Sequence, residues 1–91
     1  MFKPDPKKQV VLKFAELFGT DYKPTVTGRR LTPAECKEQS YRCTTRDGLY
    51  LTELAVGGET LAIAVDRDWR KSYKALKLEV EKLFADGVSL V

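Results

Sequence analysis

The sequence predicts an α+β fold: a two-layer sandwich in which a three-stranded antiparallel meander is covered by an N-terminal and a C-terminal helix. The expected order is helix, short helix, three strands, helix. Three observations predict it. Apolar residues recur at helical spacing near each end of the chain. The spacing changes to period two between residues 41 and 65. A three-stranded sheet also leaves an apolar face to be covered, and two amphipathic helices supply that cover.

The first helix is bounded by Asp5 as cap, Pro6 at the first helical position and Gly19 as stop. Val10, Val11, Phe14, Leu17 and Phe18 share its buried face, and Leu12 falls off that face. Residues 20–31 read as irregular, because Pro24 and Gly28 interrupt any long element; Val26 is a candidate for a short edge strand. Thr32-Pro33-Ala34-Glu35 is a capping box opening a short helix. Tyr41, Cys43 and Thr45 then alternate with polar residues as a first meander strand. Arg46-Asp47-Gly48 reads as a hairpin turn, Leu49 to Val56 as the second strand and Gly57-Gly58 as the next turn. In the third strand Leu61, Ile63 and Val65 alternate with Ala62 and Ala64, and the alanines admit close packing of another element. Asp66 or Asp68 caps the last helix, whose apolar face reads Trp69, Tyr73, Leu76, Val80 and Leu83, with Phe84 joining it and Asp86-Gly87 ending it.

Composition narrows the function. The 91 residues form one domain, 1–91, with 43% hydrophobic and 32% charged residues, outside the disordered regime. The longest apolar run, Leu61 to Val65, is far below the ~18 residues of a membrane span. The N-terminus lacks a secretory pattern, so a cytoplasmic protein is expected, with Cys36 and Cys43 reduced. The sequence has no histidine. That removes the commonest general acid–base group, and two thiolates do not complete a tetrahedral zinc set. Phosphate-loop and dinucleotide signatures are absent as well. No catalytic residue, metal ligand or cofactor is therefore expected.

One feature is asymmetric. Arg67, Arg70, Lys71, Lys74 and Lys77 crowd the start of the last helix. Cations there oppose the helix dipole at a cost of about 0.3–1 kcal/mol each, whereas an anion would gain from it. Local pairing of Lys74 or Lys77 with Glu81 would offset part of the charge. Arg29, Arg30, Arg42 and Arg46 are candidate second contacts, and Trp69 and Tyr73 are assigned to the core.

The stretch Val56-Gly57-Gly58-Glu59-Thr60-Leu61, followed by Arg70, Lys71 and Lys74, resembles a double-stranded-RNA-binding domain. That resemblance implies helix, three-strand meander, helix, with phosphate contacts at the start of the last helix. The sequence departs from that family in its third strand, Leu61 to Val65, where the family favours glycines. It departs again in the large residues of the last helix and in the long connection over 20–38. The likeness is one of topology and charge placement.

Two readings follow. The first is a small protein-interaction module, an inhibitor or adaptor of the kind mobile elements encode, meeting an acidic or nucleic-acid-binding surface of its partner. Leu12, Leu78 and the Leu90-Val91 tail are candidate exposed contacts for it. The alternative is a nucleic-acid-binding domain neutralising phosphates through the last helix. No membrane partner is expected, and the sequence leaves the oligomeric state open.

Overall fold

A computed structural model of the chain describes residues 5–39 and 48–88. It bears out the α+β architecture: one three-stranded antiparallel sheet, with helices packed on it. Helix α1 spans Pro6–Phe18; the Asp5 carboxylate accepts from the Lys7 amide at 3.0 Å, and the Gly19 amide closes on the Ala15 carbonyl. Helix α2, Pro33–Glu38, carries the expected capping box. The Thr32 hydroxyl accepts from the Glu35 amide at 3.2 Å, and the Glu35 carboxylate accepts from the Thr32 amide at 3.3 Å.

The sheet is built from β1, Thr25–Leu31, β2, Leu49–Val56, and β3, Glu59–Asp66, in spatial order β1-β2-β3. Its first strand therefore precedes α2 in the chain, where an irregular stretch with at most a short strand around Val26 was expected. The expected strand over 41–45 and the first two residues of the Arg46-Asp47-Gly48 turn lie outside the described residues. The pattern of β1 is weak for a physical reason. Its helix-facing positions are Val26, Gly28 and Arg30, paired with Leu54, Thr52 and Tyr50, so apolar alternation fails after one residue. Gly28 stands where a side chain would collide with the hydroxyls of Tyr73 and Tyr50. Two tyrosines from other elements fill the missing position.

The β1–β2 connection holds α2 and returns to its starting point. Leu31 opposes Leu49, and Gly48, at φ 81°, lies against the Leu31 carbonyl where a Cβ would clash. The β2–β3 turn is tight, with φ of 61° at Gly57 and 82° at Gly58, as the glycine pair predicts. A register shift at Leu54/Ala55 gives β3 one extra residue near the turn.

The final helix, α3, spans Trp69–Ala85 and is capped by Asp68, whose carboxylate accepts from the Arg70 amide at 2.8 Å. Helices α1 and α3 pack side by side over one sheet face. Val10, Phe14, Val26, Leu54, Ala62, Ala64, Tyr73, Leu76 and Val80 form the main core between them. Fully burying a side chain such as Phe14 or Leu76 contributes about 1.5–3 kcal/mol. The small Ala62 and Ala64 bring α3 close enough for two buried hydroxyls to bridge the layers. The Ser72 hydroxyl lies 2.9 Å from the Tyr50 carbonyl and 3.1 Å from that of Ala64, and the Thr52 hydroxyl lies 3.0 Å from Ser72 Oγ. On the other sheet face, Leu31, Cys36, Leu49 and Leu51 make a smaller cluster under α2, with Val65 against it.

No helix among the described residues is long and apolar enough to cross a membrane.

Candidate functional site

The start of α3 is held by two backbone-bonded carboxylates. Asp68 caps the helix, and Asp66 accepts from the Asp68 amide at 3.0 Å. Both aspartates are accounted for by turn and cap geometry. The next residue, Trp69, does not join the core as expected. It sits in the first turn, with 40% of its surface exposed. Its ring meets Tyr73 edge-to-face at 6.2 Å, and the Arg70 guanidinium lies 5.2 Å from its centre.

Tyr73 is buried, as expected, and continues the chain of contacts inward. Its ring lies 6.0 Å from that of Tyr50 on β2. Tyr50 in turn carries the Arg30 guanidinium 5.6 Å from its ring centre. Arg30 is Tyr50's register partner at the end of β1, and it also donates a long 3.5 Å hydrogen bond to the Arg67 carbonyl. An unbroken series therefore runs Arg70, Trp69, Tyr73, Tyr50, Arg30. Arginine over an aromatic face is attracted by the ring's quadrupole and loses freedom without losing charge. Burial, together with the neighbouring Tyr50 hydroxyl, pushes the Tyr73 phenol up to about 12.

Arg30, Arg67, Arg70 and Lys71 surround an open depression of about 490 Å³, with Asp66, Asp68 and Trp69 completing its walls. A second depression of about 270 Å³ runs between α1 and α3, lined by Pro6, Gln9, Tyr73, Lys74, Lys77 and again Arg70. The two share Arg70. The ion pairs among the described residues are Lys13 with Glu16 and Glu81, Arg29 with Glu35, and Lys82 with Glu79. None reaches Arg30, Arg67, Arg70, Lys71, Lys74 or Lys77. The local pairing of Lys74 or Lys77 with Glu81 does not form, because Glu81 turns to Lys13 on α1 at 3.6 Å. The hydrogen bond that Lys13 donates to the Glu16 carboxylate is the main reason its ammonium titrates above its ordinary value.

Of the candidate residues, the structure thus brings Arg30 together with Arg67, Arg70 and Lys71, and sets Lys74 and Lys77 along the adjoining groove. Arg29 separates from them. It alternates onto the opposite sheet face and pairs with Glu35 at 2.7 Å, which holds that carboxyl below its ordinary range. Arg42 and Arg46 lie outside the described residues, as does the Leu90-Val91 tail. Leu12 and Leu78 are exposed, at 67% and 52%, and Leu78 lines a separate shallow depression with Ala75 and Ala85. Tyr50 and Asp66 complete the site without having been read as part of it. The alternation of β2 put Tyr50 on the helix-facing side, but nothing in the sequence set it opposite Arg30.

Among the described residues no group of three or more His, Cys, Asp or Glu side chains is placed to hold a metal ion. No family model matches the chain, and neither a curated protein nor a solved structure matches it.

Proposed function

We propose that this chain is a binding domain without catalytic chemistry, acting as a small inhibitor or adaptor that docks the start of α3 onto an acidic surface of a protein partner. One observation carries the reading. Arg30, Arg67, Arg70 and Lys71 gather around the exposed Trp69, and no carboxylate among the described residues forms an ion pair with them. Tryptophan and arginine in a concave setting are the residues that dominate protein–protein hot spots. Uncompensated charge around them steers a partner of opposite sign and sets its orientation. We assign the encounter to the cytoplasm, on the low cysteine count.

The same cations support a second reading, phosphate contact with a nucleic acid, because Lys74 and Lys77 prolong the charge along α3. One feature weighs against it. Both aromatic rings near the surface, Trp69 and Tyr50, carry arginines, so neither stands free as a stacking platform for bases.

Capture from nuclease-treated lysate of the source cell separates the readings when wild type is run beside an Arg70→Glu, Lys71→Glu, Lys74→Glu variant. A stoichiometric protein held by wild type and lost by the variant supports the first. Loss of all capture with nuclease supports the second. It would be joined by binding to duplex nucleic acid whose logarithmic salt slope falls by about 0.9 per phosphate contact removed.

A further inference from the structure

Resting on the protein-binding reading of this face, we infer that its occupant is an extended acidic segment of the partner chain, lying in the two depressions that meet at Arg70. The depressions share one wall residue and are alike in charge. One is walled by Arg30, Arg67 and Lys71, the other by Lys74 and Lys77, with Arg70 common to both. Lys77 stands seven residues beyond Arg70 on α3, about 10 Å along the axis, a distance that about three residues of extended chain cover. Cations at helical steps of four and three flank this path. This suits alternate carboxylates on a strand-like peptide better than a broad flat surface.

The chemistry of the walls favours a peptide over a nucleic acid of equal charge. Trp69 and Tyr73 lie at the junction and offer apolar contact to one aliphatic or aromatic side chain. Asp66 and Asp68 each use one carboxylate oxygen on a backbone amide. Each keeps a second oxygen as an acceptor, and a peptide backbone has N–H groups to give it. A phosphodiester backbone has none.

The test uses the intact protein and a fluorescein-labelled peptide of about twelve residues, Glu or Asp at alternate positions around one central leucine. An uncharged serine analogue and a single-stranded oligonucleotide of similar length serve as comparisons. Fluorescence anisotropy gives affinities for wild type, Trp69→Ala and Arg70→Glu, each first shown to be folded by circular dichroism. Amide shift mapping on ¹⁵N-labelled wild type locates the contact.

The expected result is saturable binding of the acidic peptide, weakened about tenfold or more by Arg70→Glu and several-fold by Trp69→Ala. Shift changes should fall at Arg70, Tyr73 and Lys74 and spare Leu12. An oligonucleotide that binds more tightly than the peptide overturns the inference, as does peptide binding indifferent to Arg70→Glu. If the charge-reversed triple variant loses a protein partner while the peptide fails to bind wild type, the linear-segment inference falls and the surface reading stands. If capture and peptide binding both ignore the substitutions, the surface reading falls with it.

Discussion

Arg29 and Arg30 are neighbours in sequence and opposites in circumstance. Strand alternation sends Arg29 to the face covered by α2, where the capping-box carboxylate of Glu35 meets it at 2.7 Å. It sends Arg30 to the face covered by α3, where a tyrosine ring meets it at 5.6 Å. Both side chains gain a partner, but only the carboxylate neutralises the charge. On the α2 face a cation serves local structure. On the α3 face the structure orders the cation and leaves its charge to act outward, and this difference marks that face as the one that binds.

The most disruptive way to break the contrast is to fill Gly28. A valine there faces the helices and collides with the Tyr50 and Tyr73 hydroxyls, on which Arg30 and Trp69 depend. Overpacking of this kind costs about 1–3 kcal/mol. Chemical denaturation should show a loss in that range for Gly28→Val, with an altered near-ultraviolet aromatic spectrum. Adding Tyr73→Phe should recover part of the loss, since the nearest obstructing atom is the Tyr73 hydroxyl.

A milder probe is alkaline pH. Tyr73 holds its proton more tightly when folded, up to about 12 against an ordinary 10.0. Between those values the unfolded chain has lost this proton and the folded chain keeps it. The stability from the neutral phenol is therefore complete below pH 10 and is lost as pH rises through about 12. The denaturation midpoint should fall over this window in wild type, and fall less in Tyr73→Phe.

On the α2 face the corresponding probe is acid. Glu35 titrates below its ordinary 4.5 because Arg29 and the Thr32 amide hydrogen-bond its charged form. Its contribution is present above pH 4.5 and disappears as pH falls through the depressed value. Glutamine keeps the capping-box geometry and removes the charge. The stability gap between wild type and Glu35→Gln should therefore be small, as exposed ion pairs are, greatest near neutrality and closed in acid.

Much of this architecture was legible in the sequence, because α1 and α3 each carry a cap and a periodic face, α2 opens on a capping box, and the Gly57-Gly58 turn announces the β2–β3 hairpin. Strand β1 was not legible as a full strand. Half of an edge strand's apolar signal was replaced by Gly28, and the side chains that compensate come from β2 and α3. The site divides in the same way. The cations of α3 declare themselves by opposing the helix dipole, whereas the choice of Arg30 over Arg29 depends on β1–β2 register, a long-range fact. The exposure of Trp69 was not legible, because helical spacing alone puts it on the apolar face, whereas its place in the first turn leaves 40% of its surface open. The topology is helix, three-strand meander, helix, with α2 set between β1 and β2.

The cations of the α3 face have no ion-pair partner among the described residues, whereas Arg29 on the α2 face is paired with Glu35. Elution from a sulfonate cation-exchange matrix measures this without any knowledge of the partner. Arg29→Ala and Arg30→Ala remove the same formal charge. Arg30→Ala should elute at clearly lower salt than wild type, because Arg30 adds to a cluster, and Arg29→Ala should shift far less. Equal shifts for the two variants, or the larger shift for Arg29→Ala, would contradict this contrast.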